Sequence, residues 1–260
     1  MSEQSNIAPL NGKVIVITGA AGGIGEATAR LVYAQGASVF LTDREIEGVD
    51  ELAKSLGNRA AAAAVDVSSS ADNLAMIDKA EKRFGAVHGL FLNAGIEGRV
   101  GPLEYAGDDA WEQVFAVNVH GVRYGIQAAI PALRRAGGGT ILLTSSVAGV
   151  RGSPGLSPYV TSKHAVMGLM RTAAAELGPE GIRVNTINPG PVDNRMMRSI
   201  EDQVQPGHGE EVKQGFIGRI PLGRYVTNQE VAATAAFLLS DAASGITGAN
   251  YMVDAGMTAQ

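Results

Sequence analysis

The sequence predicts an α/β fold in which a doubly wound, seven-stranded parallel sheet is flanked by helices on both faces. Two observations lead to this prediction. Short apolar runs typical of buried strands alternate with amphipathic helical stretches along the whole chain. A glycine-rich turn also lies directly between the first strand and the first helix. No linker rich in proline, serine or charge divides the sequence, so a single domain spanning residues 1–260 is expected.

The strands are predicted from short runs of apolar and β-branched residues. The first run, Val14–Ile17, is continuously apolar, which is typical of a parallel strand buried on both faces. The alanines of the third run also allow a helix. The predicted strands are Val14–Ile17, Ser38–Thr42, Ala60–Val65, Gly89–Leu92, Thr140–Thr144, Ile182–Ile187 and Tyr251–Val253.

The helices are predicted from apolar residues spaced three to four positions apart. In the first helix, Ile24, Ala27 and Leu31 fall on one stripe. In a later helix Ser157 suits the cap and Pro158 the first helical position. The predicted helices are Ile24–Gln35, Val49–Leu56, Leu74–Phe84, a long one from about Asp108 to Arg134, one carrying Tyr159, and Val231–Leu239.

One stretch, from Pro191 to Arg224, interrupts this alternation. It carries scattered glycine and proline and is long for a connection between a strand and a helix. Such stretches are usually lids or binding loops, so residues 191–225 are predicted to form a substrate-binding loop. Within it, Met196 and Met197 would give an adaptable apolar cover, although core packing explains methionines equally well.

Charge and composition exclude several classes of function. The formal net charge of −5 and the pI near 5.4 argue against nucleic acid or an anionic membrane as the main partner. The chain has no cysteine, which excludes disulfides and thiolate catalysis, and its histidines lack metal-ligand spacing, so no metal site is expected. The stretch Met1–Asn11 is polar, and no run approaches transmembrane length. We therefore expect a cytoplasmic globular protein.

The glycine-rich turn Thr18–Gly25 is the first candidate binding feature. Glycines allow a tight bend and close approach to a pyrophosphate, and the start of the following helix offers free N–H groups. A purely structural turn is the alternative. The candidate contacts in this turn are Gly19, Gly22, Gly23, Ile24 and Gly25.

The residues that end the next three strands extend this site. The Asp43 carboxylate can accept both ribose hydroxyls of adenosine and would repel the 2′-phosphate of NADP, which favours NAD. Arg44 could instead pair with that phosphate, which leaves NADP as the alternative. Asp66 and Val67 are expected at the adenine edge, with a simple turn aspartate as the alternative. Asn93-Ala94-Gly95 would let the backbone pass close to the cofactor.

A tyrosine and a lysine form the candidate catalytic pair. Tyr159 and Lys163 are four positions apart, so they share one face of a helix. A phenol exchanges protons poorly at neutral pH unless a nearby cation lowers its pKa from about 10, and we expect Lys163 to do so. The spacing alone is common by chance, and an exposed lysine beside a half-buried tyrosine is the alternative. Ser146 lies upstream of the pair.

Taken together, these residues resemble the short-chain dehydrogenase/reductase family over essentially the whole chain. The matching signatures are the Thr18–Gly25 turn, Asp66, Asn93-Ala94-Gly95, Asn118, Ser145-Ser146, Tyr159 with Lys163, and Asn188-Pro189-Gly190. The resemblance implies a Rossmann fold, the cofactor NAD, a homotetramer, and a catalytic tetrad of Asn118, Ser146, Tyr159 and Lys163.

The resemblance also implies a role for each member of the tetrad. Tyr159 would exchange the alcohol proton, and Lys163 would lower its pKa and hold the nicotinamide ribose. Ser146 would bind the substrate oxygen, and Asn118 would hold a water that relays protons. Near the nicotinamide the family places the counterparts of Pro189, Gly190 and Val192, and Asn194 stands where the family commonly has a threonine that touches the carboxamide.

The resemblance says less about the substrate than about the cofactor. It surrounds the pocket with Val147, Arg151–Leu156, Ile96-Glu97 and the 191–225 loop. We interpret Glu97 and Arg99 as solvated loop charges, with contact to a polar substrate as the alternative. The expected activity is hydride transfer between NAD and a secondary alcohol or ketone, cyclic or aromatic. The alternatives are a 3-oxoacyl-carrier-protein reductase that uses NADPH and a cofactor-sensing protein without catalysis. The ending Thr258-Ala259-Gln260 also resembles that of secondary alcohol dehydrogenases that bind structural magnesium.

Overall fold

A computed structural model describes residues 9–259 of the chain. Residues 1–8 and residue 260 lie outside this part. The prediction for Met1–Asn11 therefore falls mostly outside the described residues, and the magnesium interpretation of the C terminus falls partly outside them.

The sheet within residues 9–259 has seven parallel strands in the order β3-β2-β1-β4-β5-β6-β7. This confirms the predicted fold class, and polyalanine β3 is a strand rather than a helix. The strands are β1 Val14–Thr18, β2 Ser38–Asp43, β3 Ala60–Ala64, β4 Gly89–Leu92, β5 Gly139–Thr144, β6 Ile182–Pro189 and β7 Asn250–Val253.

The helices cover both faces of this sheet. One apolar cluster joins the sheet to α3, α5 and α6, and another joins its opposite face to α1, α2 and α9. No helix between residues 9 and 259 is long and apolar enough to cross a membrane. The helices are α1 Gly23–Ala34, α2 Ile46–Leu56, α3 Ser70–Phe84, α4 Asp108–Phe115, α5 Val122–Arg135, α6 Ser157–Leu177, α7 Arg195–Val204, α8 Gly209–Ile217 and α9 Asn228–Leu239.

The strand order fixes where a ligand can enter. Chain progression reverses between β1 and β4, which are neighbours in the sheet although two other strands separate them in sequence. In doubly wound sheets a crevice opens at the carboxyl ends of the strands at such a reversal. The ends of β1, β4, β5 and β6 therefore define the site.

Three predictions of local structure need correction. Ser157 is the first residue of α6 and Leu156 is its cap, so Pro158 is at the second helical position. The predicted helix from Asp108 to Arg134 has the right extent, but a π-helical turn, Ala116–Gly121, separates α4 from α5. The stretch from Pro191 to Arg224 carries two helices, α7 and α8, because the Asn194 side chain caps α7 and polar residues follow.

Candidate active site

The glycine-rich turn is packed too tightly for side chains at several positions. Gly19 has a φ of 64°, and a Cβ there would lie 2.9 Å from the Ala94 Cα. A Cβ at Gly25 would collide with the Gly19 carbonyl oxygen and lie 2.8 Å from the Ala20 Cα. Gly22 caps α1 without a side chain, so the first N–H groups of the helix have no side-chain acceptor. These N–H groups are free to receive an anionic group.

Asp43 lies beside this turn with its carboxylate fixed. One carboxylate oxygen accepts the Ala21 N–H at 3.1 Å, and the other accepts the Arg44 N–H at 2.8 Å. The Arg44 guanidinium extends away and pairs with Glu45 at 3.3 Å on the surface. The carboxylate, rather than the guanidinium, is therefore the charge held against the turn.

The side chains that follow β3 and β4 make hydrogen bonds to nearby protein groups. Asp66 accepts bonds from the Ser68 N–H and hydroxyl at 2.9 and 2.6 Å, and these bonds lower its pKa. Asn93 donates to the Thr18 and Gly19 carbonyls at 3.3 and 3.2 Å, which ties the end of β4 to the end of β1. Adenine and backbone contacts by Asp66, Val67 and the Asn93-Ala94-Gly95 run stay predictions.

Tyr159 and Lys163 share the buried face of α6, as predicted. The Lys163 Nζ donates to the Thr144 carbonyl at 2.8 Å and lies 5.5 Å from the centroid of the Tyr159 ring. The Ser145 hydroxyl donates to the Lys163 carbonyl at 3.1 Å. The alternative of an exposed lysine beside a half-buried tyrosine is wrong, because both side chains are buried at the carboxyl end of β5.

The pKa of Tyr159 is raised in this structure, so the prediction that it lies below its usual value of about 10 is wrong. Burial raises the pKa of Tyr159 to about 12, the Ser146 hydroxyl opposes that rise, and the charge of Glu97 adds to it. Burial also lowers the pKa of Lys163 to about 8. Both shifts have the same cause, since a low-dielectric surrounding disfavours the charged form of each group.

Asn118 lies at the centre of the π-helical turn and is fully buried. Its Oδ1 accepts the Ile96 N–H at 2.9 Å, and its Nδ2 donates to the Ile96 carbonyl at 2.9 Å and to the Ser162 hydroxyl at 3.1 Å. The Ser162 hydroxyl donates to the Tyr159 carbonyl at 2.7 Å. The Asn118 side chain thus joins the loop after β4 to α6, and its hydrogen-bonding atoms are occupied by protein groups.

Ser146 and the end of β6 form the opposite side of the site. The Ser146 hydroxyl accepts the Ala148 N–H at 3.1 Å and lies 3.5 Å from the Pro189 carbonyl. A Cβ at Gly190 would lie 2.9 Å from the Asp254 Cα, so only glycine fits this crossing. The Val192 carbonyl accepts the Asn194 N–H at 2.7 Å, whereas the Val192 N–H makes no backbone hydrogen bond outside the helices and strands of residues 9–259 and is available to a ligand.

Asn194 has a structural use that the sequence did not predict. Its Oδ1 accepts the Met197 N–H at 3.3 Å as the cap of α7, and its Nδ2 lies 3.4 Å from the Asn228 Oδ1. Met197 packs in a small apolar cluster that also contains Val147 and Tyr225. Helix α7 therefore packs beside Val147, one of the predicted pocket residues, and the lid role of the 191–225 segment stays a prediction.

The interpretation of Glu97 as a solvated loop charge is wrong. Its residue exposure is only 9 %, whereas Arg99 is exposed as expected. Sequence reasoning also missed Ser162 and Thr144, which hold α6 and Lys163 in place. Ser162 lies between Tyr159 and Lys163 in the sequence. A polar residue on the buried face of that helix was the signal that could have identified it.

Comparisons with known proteins agree with this geometry. A family model described as enoyl-(acyl carrier protein) reductase matches residues 19–258. The cyclohexanol dehydrogenase of Acinetobacter sp. (strain SE19) is 40% identical over 254 residues, which cover 96% of each chain. A crystal structure of levodione reductase has a TM-score of 0.93 at 34% identity and covers 96% of this chain and 99% of its own. An NAD⁺-bound xylitol dehydrogenase has a TM-score of 0.89 at 34% identity, covering 94% and 98%.

The tight packing of the glycine-rich turn gives a first prediction. We expect Gly25→Ala to lower the free energy of unfolding by about 1–3 kcal/mol, because the new methyl group meets backbone rather than a flexible side chain. Urea denaturation measures this loss, and NADH fluorescence measures the weaker cofactor binding that should accompany it. Gly215→Ala in α8 is the matched control, since a Cβ there meets open space and should be neutral or stabilising. Wild-type stability in Gly25→Ala would contradict the prediction.

Proposed function

The chain belongs to the short-chain dehydrogenase/reductase family, and we propose that it transfers a hydride between NAD and a cyclic secondary alcohol or its ketone. It is an oxidoreductase of the alcohol dehydrogenase type, and NAD is its cofactor. The observation that carries the proposal is the buried Tyr159–Lys163 pair beside Ser146, at the edge of the sheet where the glycine-rich turn begins α1.

The residues around the crevice fit NAD. The uncapped start of α1 suits a pyrophosphate, and the fixed Asp43 carboxylate suits ribose hydroxyls rather than a 2′-phosphate. When bound, NAD supplies the carbon that accepts or donates the hydride. The residues proposed to hold it are Gly19, Gly22, Gly23, Ile24, Gly25, Asp43, Arg44, Asp66, Val67, Asn93, Ala94, Gly95, Tyr159, Lys163, Pro189, Gly190, Val192 and Asn194.

The protein's own groups would handle the proton. Tyr159 accepts the proton of the alcohol during oxidation and returns it during reduction. Ser146 donates a hydrogen bond to the substrate oxygen, a contribution of a few kcal/mol in such sites. Lys163, held on the Thr144 carbonyl at 2.8 Å, supplies a positive charge close to the phenol ring. Because both groups are buried, each charge acts on the other with little screening.

Asn118 supports this chemistry by holding two neighbouring segments in position. Its amide fixes Ile96 on one side and Ser162 on the other, and Ser162 bonds to the Tyr159 carbonyl. For the predicted water relay, both Nδ2 hydrogens of Asn118 are already bonded to protein groups, which leaves a nearby backbone group or the second lone pair of Oδ1 to bind the water. We therefore propose Asn118 as the residue that sets the position of α6 relative to the loop after β4.

The substrate class rests on the apolar surroundings of Tyr159. Ala148, Leu156 and Tyr159 form one cluster, with Val100 packed against it. Apolar surroundings of this kind suit a carbon ring, and the cyclohexanol dehydrogenase is named for a ring substrate. A carrier-protein reductase that uses NADPH is less favoured, because the Asp43 carboxylate faces the turn and would repel the 2′-phosphate of NADPH. The buried tyrosine and lysine likewise disfavour a cofactor sensor without catalysis.

The assembly and location of the protein are further proposals. The family resemblance supports a homotetramer in which the α4–α5 helix and α6 pack across one interface and β7 lies near another. Light scattering would measure the mass, and a monomer would refute this assembly. The absence of cysteine supports a reducing compartment, and we propose the cytoplasm.

Replacing Tyr159 tests the proposed function directly. Wild-type protein should reduce NAD, and NADP far less, when supplied with cyclic secondary alcohols, as followed by absorbance of the reduced nicotinamide. Tyr159→Phe should lower kcat by about a thousandfold or more, because the proton acceptor is lost, while NADH binding is retained. Tyr105→Phe is the matched control, since Tyr105 is exposed and far in sequence from the pair. Retained turnover in Tyr159→Phe would refute the mechanism.

The raised pKa of Tyr159 predicts the pH dependence. Oxidation needs the phenolate, whose fraction grows about tenfold per pH unit below a pKa of about 12. We therefore expect kcat/KM for alcohol oxidation to rise with pH over the range in which the fold is intact. Reduction needs the protonated phenol, so its kcat/KM should stay level and then fall. Oxidation that slows as the pH rises would contradict the proposed role, provided that circular dichroism shows a folded protein at each pH.

A further inference from the structure

Glu97 is a largely buried residue whose carboxylate has no partner among the described residues. It is 9 % exposed, and within residues 9–259 its side chain makes no hydrogen bond or ion pair. Removing a carboxylate from water is costly unless donors replace the lost hydrogen bonds. The Glu97 oxygens are not among the fully buried polar atoms of residues 9–259, so they keep access to solvent, and a bound ligand can reach them and supply a donor.

The loop that carries Glu97 lies against the active site on both sides. Before it, a Cβ at Gly95 would lie 3.4 Å from the Lys163 Nζ. After it, Val100 packs against the apolar cluster that contains Tyr159. Glu97 is thus bracketed by residues that touch the lysine and the tyrosine cluster. The effect of its charge on the Tyr159 pKa, which is smaller than that of burial, agrees with this placement.

Three contacts hold the loop in one conformation. The Asn118 amide bonds to both backbone groups of Ile96 at 2.9 Å. Gly98 has a φ of 71°, and a Cβ there would lie 2.6 Å from a Val114 methyl group, so the turn after Glu97 requires glycine. Gln203 of α7 accepts the Val100 N–H at 3.0 Å. The acid is therefore positioned in advance, rather than carried on a mobile loop.

We propose that Glu97 accepts a hydrogen bond from a second hydroxyl group of the substrate, so that the enzyme prefers diols and hydroxyketones to simple alcohols. This inference rests on the proposed function. The apolar cluster would contact the carbon skeleton, Tyr159 and Ser146 the reacting oxygen, and Glu97 the neighbouring hydroxyl. A hydroxyl is favoured over an amine as the donor because the NAD⁺-bound relative is named for xylitol, which is a polyol.

Matched substrates test the assignment. Cyclohexanol and cyclohexane-1,2-diol share a ring and differ by one hydroxyl, so the ratio of their kcat/KM values isolates the second group. In this ratio any effect of Glu97 on Tyr159 cancels, because both substrates use the same proton acceptor. We expect wild type to prefer the diol and Glu97→Leu to lower the diol-to-alcohol ratio about ten- to a hundredfold, as the loss of a charged hydrogen bond predicts.

Two further variants control the experiment. Glu97→Gln keeps the size and one acceptor oxygen, so its ratio should lie between those of wild type and Glu97→Leu. Glu104→Gln changes an exposed acid of the same connection and should leave the ratio within about twofold of wild type. NADH binding and circular dichroism establish that each variant is folded.

The outcomes separate the inference from the function on which it rests. Equal loss of activity on both substrates in Glu97→Leu, or wild type that oxidises both equally well, would refute the Glu97 assignment and leave the proposed function standing. Wild type that binds NADH and oxidises neither substrate would refute the proposed function, and the assignment with it.

Discussion

The buried ammonium of Lys163 is the constraint on which the arrangement of the site depends. An ammonium taken out of water is costly unless polar groups replace the lost hydration. The Thr144 carbonyl provides a hydrogen bond at 2.8 Å, which fixes the start of α6 against the carboxyl end of β5. The Ser145 hydroxyl adds a bond to the Lys163 carbonyl. Because α6 is rigid, the position of Tyr159 one turn earlier follows from the placement of Lys163.

A second set of bonds connects this helix to the rest of the crevice. The π-helical turn, Ala116–Gly121, contains Asn118. Such turns are frequent at functional sites. Through Ile96 and Ser162, the Asn118 amide joins the loop after β4 to α6. The same loop carries Glu97 and is bonded to α7 through Gln203. Helix α7, the loop that carries Glu97 and the helix that carries Tyr159 are thus held in one connected framework.

The sequence was sufficient for features that depend on local patterns. Alternating apolar runs located every strand, because a parallel strand buried on both faces must be apolar throughout. The spacing of Tyr159 and Lys163 predicted their shared helix face. Features that depend on distant contacts were not predictable. Glu97 was interpreted as a surface charge because nothing in the local sequence shows that its loop is bonded to α7 and to the π-helical turn. The cap of α7 by Asn194 depends likewise on a helix that the scattered glycines concealed.

The wrong prediction for the Tyr159 pKa has a clear physical cause. The spacing in sequence predicted that the Lys163 ammonium lies near the Tyr159 phenol, and the structure confirms this. Burial nevertheless acts on both groups and favours the neutral form of each, so the pKa of Tyr159 rises and that of Lys163 falls. The desolvation free energy of burying a neutral phenol is lower than that of burying a phenolate beside Glu97. Burial therefore disfavours the charge state that oxidation needs, and this is the physical reason why oxidation is expected to gain from a rise in pH.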